Sequence, residues 1–315
     1  MSTQDAAARI LTTCLGLQRG ERLVVVTDTG REAIGHRFFQ AGRDLGAEAV
    51  LVTMPELEAD GQEPPAAVAA AMAAAQVVVA PTTWSLTHTA ARRRACEAGA
   101  RVATMPGITE DMLEEGAIAA DYEAVRRLSE AVARVLDGGR SVRLITGDGR
   151  QLVLDISGRR AIASTGVYRD PGRWGNLPSG EAYLAPVEGS ARGELVVNGS
   201  VSGLGVLREP LLLRIEDGRI AAAEGPDADR LLALLDQSPQ GRMVAELGIG
   251  TNEAARLTGN VLEDEKVYGT VHIAFGSNVG FGGTIEAGIH IDAVILRPRL
   301  YVDDMLVVGD GRVYA

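Results

Sequence analysis

Apolar runs alternate with helical patterns along the first half of the chain. ERLVVVTD (Glu21–Asp28), AEAVLVTM (Ala47–Met54), VVVA (Val77–Ala80) and RVATM (Arg101–Met105) read as buried strands. Between them, REAIGHRFFQAGRDLG (Arg31–Gly46), AAVAAAMAAAQ (Ala66–Gln76) and TAARRRACEAGA (Thr89–Ala100) read as helices. Strands that are apolar without interruption must be covered on both faces, and helices of this length supply the cover. The first half is therefore predicted to be an α/β domain built on a doubly wound parallel sheet.

The pattern then changes. DYEAVRRLSEAVARVLDGG (Asp121–Gly139) reads as a long helix that stops at a Gly-Gly pair. After it, the hydrophobic period falls from 3.6 to 2. SVRLITGDGRQLVLDI (Ser141–Ile156) has the form of a hairpin that turns at Gly147-Asp148-Gly149. Strand-and-turn patterning continues to the end, interrupted by helices expected at Asp227–Gln237 and near Glu253–Leu257. This places a domain boundary near Gly139, with residues 1–139 as the α/β domain and 140–315 as a strand-rich α+β domain.

A chain of 315 residues is long enough for two cores, and 46% hydrophobic against 23% charged residues suits a globular protein. The net charge of −11 argues against general nucleic-acid binding, which needs clustered Lys and Arg to displace counterions. Cys14 and Cys96 are too few for a disulfide framework. The start MSTQDAAARI lacks the basic-then-apolar layout of a secretory signal, and no apolar run approaches the roughly 20 residues of a membrane span. These features together predict a cytoplasmic protein that does not engage membranes.

The candidate chemistry lies in the second half. His290 and Asp292 are two residues apart in a strand pattern, so imidazole and carboxylate project from the same face. His272, in YGTVHIAFG, completes a set of two imidazoles and one carboxylate suited to a divalent metal. Glu181, just after Pro178 and Gly180, and Glu246, at the end of the apolar run MVAEL, are carboxylates in surroundings where an uncompensated charge is costly. Together the five can hold two ions that share a bridging carboxylate, as in hydrolases that clamp an attacking water.

These segments resemble the metal-dependent aminopeptidase T/S family. The likeness runs in order through PGRWGNLPSGEAYLAP, MVAELGIGTNEAARLTGNVLEDEKVYGTVHIAFGSN, IHIDAVILRP and YVDD. It implies an aminopeptidase-type hydrolase that cleaves a peptide or related amide with two divalent ions (zinc, cobalt or manganese) on Glu181, Glu246, His272, His290 and Asp292. It also implies a homodimer acting on a short peptide or other small molecule. The family's tyrosine ligand is missing, since Val279 stands near its place and Phe281 cannot ligate.

The same stretches also resemble the non-haem iron dioxygenases that open 2,5-dihydroxypyridine. That resemblance implies a single Fe²⁺ on His272, His290 and Asp292 with positions left for O₂ and substrate. In that branch an apolar residue stands in place of Glu181 and a histidine near Asn176, and there is no segment like AELGIGTN. Retention of both glutamates puts the hydrolase ahead on ligand count. A third reading is a metal-binding relic that serves as a binding protein.

In the hydrolase reading Glu265, in LEDEKVYG, is the candidate general base, set against a solvated acidic run of Glu263, Asp264 and Glu265. His88 follows a strand end in PTTWSLTHTAARRR, where open α/β sheets bind ligands, and the resemblance to the dioxygenases implies acid–base work for it. Its alternative is a solvent-facing residue at a helix start. Arg92, Arg93 and Arg94 read as a solvated face, and Asp28 or Thr29 as a cap for the following helix. Gly248-Ile249-Gly250 lacks the third glycine of a dinucleotide fingerprint and lies outside the α/β half.

Overall fold

The computed structural model describes residues 3–315. The chain divides into two compact units. One runs to Glu123 and takes back Gly166–Ser179, and the other comprises Ala124–Thr165 and Gly180–Ala315.

The first unit is the predicted parallel sheet. Its strands lie in the order Glu48–Met54, Arg22–Asp28, Val77–Ala80, Arg101–Thr104, with Leu23 opposite Ala49 and Val77, and Val78 opposite Val102. Leu23 to Asp28 are buried without interruption, as a central strand covered on both faces requires. The edge strand Glu48–Met54 is mostly half-buried or exposed. Helices Glu32–Asp44, Ala66–Ala74 and Ala90–Glu97 connect the strands. A further strand, Trp174–Asn176, pairs in parallel with Arg101–Thr104. Three residues reading WGN carry no hydrophobic period, so the sequence pattern does not reveal it.

The division falls at Glu123 rather than near Gly139. The helix Tyr122–Gly138 contributes Val132, Ala133 and Leu136 to the core of the second unit, and its apolar face is what assigns it there.

Among the described residues the second unit contains two antiparallel sheets. The first runs Arg219–Glu224, Leu211–Glu216, Arg192–Val197, Arg150–Asp155, Ser141–Thr146, Arg299–Val302, Met305–Gly309, Arg312–Val313. The second runs Gly205–Val206, Ser200–Val201, His290–Ile295, Val271–Gly276, Val244–Gly250, Glu181–Leu184, Ile162–Ser164. One core draws on both, with Leu144, Leu154 and Leu213 from the first and Leu247, Ile249, Ile273 and Phe275 from the second. The hairpin at Gly147-Asp148-Gly149 forms as expected, with both glycines at positive φ (49° and 87°).

Three local expectations are corrected. No helix forms at Glu253–Leu257; a four-residue helix lies instead at Val261–Asp264, where the Asn260 side chain accepts from the Leu262 amide. Asp28 caps no helix. Its carboxylate accepts from the Gly30 amide (3.1 Å) and from the Thr83 amide and hydroxyl (2.5 and 3.1 Å), tying two strand ends together. Arg92 leaves the expected solvated face and is buried, donating from Nε to the Thr87 carbonyl with its guanidinium over the Trp174 ring. Among the described residues no helix is long and apolar enough to cross a membrane.

Candidate metal centre

Four neighbouring strands of the second unit carry the chemistry. Across the ladder, Glu181 pairs with Gly250, Gly248 with His272, Glu246 with Ala274, Ala274 with Asp292 and Gly276 with His290. Because side chains alternate between faces, this register brings Glu181, Glu246, His272, His290 and Asp292 onto one face. Their neighbours on that face are Gly248, Gly250, Ala274 and Gly276, which leave the space the larger groups fill. The opposite face, with Ile249, Ile273 and Ala293, packs into the core. A bulge between Val244 and Glu246 sets the phase that turns Glu246 toward the imidazoles.

The five residues come together. His272 Nε2 lies 3.2 Å from Glu246 Oε1 and 3.4 Å from Glu181 Oε2. His290 Nε2 lies 3.5 Å from both Glu246 Oε2 and Asp292 Oδ1. Glu246 thus faces both imidazoles. His290 Nδ1 lies 2.8 Å from the Ser277 carbonyl; donating its proton there leaves Nε2 free as a ligand. His272 is fully buried, and the His290 side chain is 32% exposed. Phe281 stands edge-on to His290 and to Tyr183, giving the more open side of the cluster an aromatic wall.

Glu265 also reaches this cluster, and the structure shows a residue the sequence reading passed over. Lys266 is buried, with Nζ 2.7 Å from Glu181 Oε1 and a second ion pair to Glu265. In sequence it sits in the charged run LEDEK, which reads as solvated. Glu263 and Asp264 are in fact fully buried, accepting backbone amides from Arg256 and from Thr258 and Gly259 respectively. The run is therefore a loop clamp, and its acidity is spent on holding Lys266 and Glu265 in place.

A divalent cation fits these residues. The ligand atoms of Glu246, His272 and Asp292 lie within 4.8 Å of one another, as do those of Glu181, Glu265 and His272. Glu181 Oε2, His272 Nδ1 and Asp292 Oδ1 are buried with no hydrogen-bond partner, a costly state for a purely structural cluster. Burial alone would lower the pKa of His272, but Glu246, Glu181 and Glu265 outweigh it and hold it at about 9. His290 is likewise lowered by burial and raised more strongly by Asp292 and Glu246, to about 10. Asp292 is raised by burial but brought down to about 2 by His290 and His272. Burial lifts Glu265 to about 8 despite Lys266 beside it.

A pH dependence follows. Metal requires neutral imidazoles. Below about pH 9 the metal-free protein carries protons on His272 and His290 that an incoming ion must displace. Apparent affinity is expected to rise with pH through this range, with proton release on binding. Calorimetry of Mn²⁺ binding in buffers of different ionisation enthalpy reads that release, and a heat independent of buffer would refute it. The sign for the metal-free fold is opposite. Raised imidazole pKa values stabilise it fully below the ordinary 6.5, and that contribution disappears as pH rises through about 9–10.

His88 belongs to the first unit, on the loop after Val77–Ala80, where its ring meets Trp174 edge-on at 6.4 Å. Its backbone carbonyl accepts from Arg93.

With this geometry established, comparison with known proteins sorts the two resemblances. The family profile described as NicX, 2,5-dihydroxypyridine 5,6-dioxygenase, matches residues 3–315. The chain belongs to this family. A curated relative from Pseudomonas putida, 2,5-dihydroxypyridine 5,6-dioxygenase, is 28% identical over 200 residues, a stretch covering 59% of this chain and 57% of that protein. The solved structure of the 2,5-dihydroxypyridine dioxygenase from Pseudomonas putida superposes with a TM-score of 0.86 at 22% identity, covering 99% of this chain and 97% of that one. AmpT from Thermus thermophilus superposes at 0.72 with 18% identity, covering 99% of both chains. At these identities the structures show a shared fold.

The expectation of a metallo-aminopeptidase is overturned by the family match over residues 3–315. The aminopeptidase likeness holds at the level of fold. The count of Glu181 and Glu246 had favoured the hydrolase; in the structure Glu181 Oε1 lies 2.7 Å from Lys266 Nζ.

Proposed function

We propose that this protein is a non-haem iron dioxygenase that opens a hydroxylated pyridine of the 2,5-dihydroxypyridine type. The observation that carries the proposal is the family match over residues 3–315. The donor set supports it, since two imidazoles and one carboxylate are the ligands non-haem iron oxygenases use. In this reading His272, His290 and Asp292 hold the metal, and Glu246 lies against both imidazoles. When bound, Fe²⁺ supplies one-electron chemistry with O₂ and open positions for substrate.

The chain's own residues prepare the site. Ser277 fixes the orientation and tautomer of His290. Lys266 compensates Glu181 and Glu265 within the buried cluster. Phe281, itself packed against Tyr183, offers an aromatic ring beside His290 against which a planar ring can pack.

Anaerobic reconstitution with Fe²⁺, followed by O₂-electrode assays with 2,5-dihydroxypyridine and parallel assays with aminoacyl amides, tests the proposal. One O₂ is expected to disappear per ring opened, with no amide hydrolysis. An iron-loaded enzyme that leaves the pyridine and the O₂ level unchanged would sink it. Glu181→Gln adds a finer test. Because Glu181 Oε1 is engaged by Lys266, ring opening should fall by less than about tenfold, below the 10–100-fold typical even of metal-orienting partners.

A further inference from the structure

Two groups of side chains can hold a cation, and both need the same imidazole. Glu246 and Asp292 converge with His272, and so do Glu181 and Glu265. The nitrogen facing both groups is Nε2, 3.2 Å from Glu246 and 3.4 Å from Glu181. A ring nitrogen has one lone pair and serves one ion at a time. An ion on the second group would therefore rely on Glu181 and Glu265, and both carboxylates already hold the ammonium of Lys266.

The surroundings hold Lys266 firmly. Its side chain is 1% exposed, a rarity for lysine outside a fully paired site. Its backbone amide donates to the Glu263 carbonyl (3.0 Å), and its carbonyl accepts from the Asn252 amide (2.9 Å). The buried carboxylates of Glu263 and Asp264 accept the amides of Arg256, Thr258 and Gly259, which pins the preceding loop. With both its ends and its flanking loop fixed, the ammonium has no open route to solvent.

We propose that Lys266 acts as a built-in cation, filling the Glu181–Glu265 subsite and limiting the centre to a single divalent ion on the side of Glu246, His272, His290 and Asp292. This rests on the metal-binding part of the proposed function and not on the identity of the substrate. Lys266 is a positioning residue, which fixes how many ions the acidic face admits and which carboxylates remain for the one it holds.

The test counts metal. Metal-free wild type and Lys266→Met, a substitution of similar length without the charge, are titrated with Mn²⁺, and bound metal per chain is measured after gel filtration. Wild type is expected to retain one Mn²⁺ with the paramagnetic-resonance spectrum of an isolated ion. Lys266→Met is expected to retain two with an exchange-coupled spectrum, and to gain more thermal stability from Mn²⁺ than wild type does. A second ion in wild type, or a single ion in Lys266→Met, overturns the proposal. Lys266→Arg keeps the charge, so one ion is expected and two would count against the idea. Should Lys266→Met not fold, Lys266→Gln takes its place, with two ions expected and a single ion overturning the proposal. Absence of O₂ uptake by protein carrying one ion would defeat the dioxygenase proposal and leave this one standing.

Discussion

Replacing His290 or Asp292 by alanine is expected to release the metal and lower ring opening by more than about 100-fold, beyond the loss typical of an outer-shell partner. The two side chains leave one strand on the same face, and their ligand atoms meet at 3.5 Å. The positions paired with them on the next strand, Gly276 and Ala274, carry no ligand atom. Metal content after gel filtration and O₂ uptake both read the effect. Wild-type metal retention and turnover in either variant would remove the assignment of this face as the metal centre. Circular dichroism should stay unchanged, since the core residues Ile273 and Ala293 lie on the other side of the sheet.

Gly248→Ala is expected to do comparable damage without touching a ligand. A β-carbon built at Gly248 would stand 1.9 Å from His272 Nε2 and 2.2 Å from its Cε1. The backbone there has no positive φ, so alanine is conformationally acceptable, and the strain falls on the imidazole. His272 is fully buried and cannot move aside freely. Overpacking of this kind costs about 1–3 kcal/mol in stability, while displacement of the ring should weaken metal binding by about 100-fold or more. Thermal melts and Mn²⁺ titration separate the two effects. Gly138→Ala, whose added methyl meets nothing within 4 Å, serves as the control. Unaltered metal affinity in Gly248→Ala would show that the position of His272 over this glycine is unimportant.

The two predictions mark the difference between what could be read locally and what could not. The H-x-D spacing of His290 and Asp292 is a period-2 statement and follows from strand geometry alone. That Gly248 makes room for His272 depends on a register between strands 24 residues apart in sequence, Gly248 against His272, and nothing in ELGIGTN announces it. The second half of the chain was legible as strands because its alternation is strong. It was less legible where short polar segments take part in pairing, as Trp174–Asn176 does.

The errors have a common cause. Glu263, Asp264 and Arg92 were read by residue type as solvated charges, and all three are buried with partners. Charge predicts exposure only when no complementary group is brought to it by the fold. The same gap hid Lys266, which the fold buries against Glu181 and Glu265.

By itself the sequence determined the alternation of strands and helices in the first unit, the period-2 character of the second, and the ligand types His272, His290 and Asp292. These depend on hydrophobic period and on side-chain chemistry, which are properties of neighbouring residues. Tertiary structure alone decided the phase of the sheet, the space above Gly248, the tautomer of His290 and the burial of Lys266. Each of these requires backbone register or an enclosing surface, and both arise only when distant segments of the chain meet.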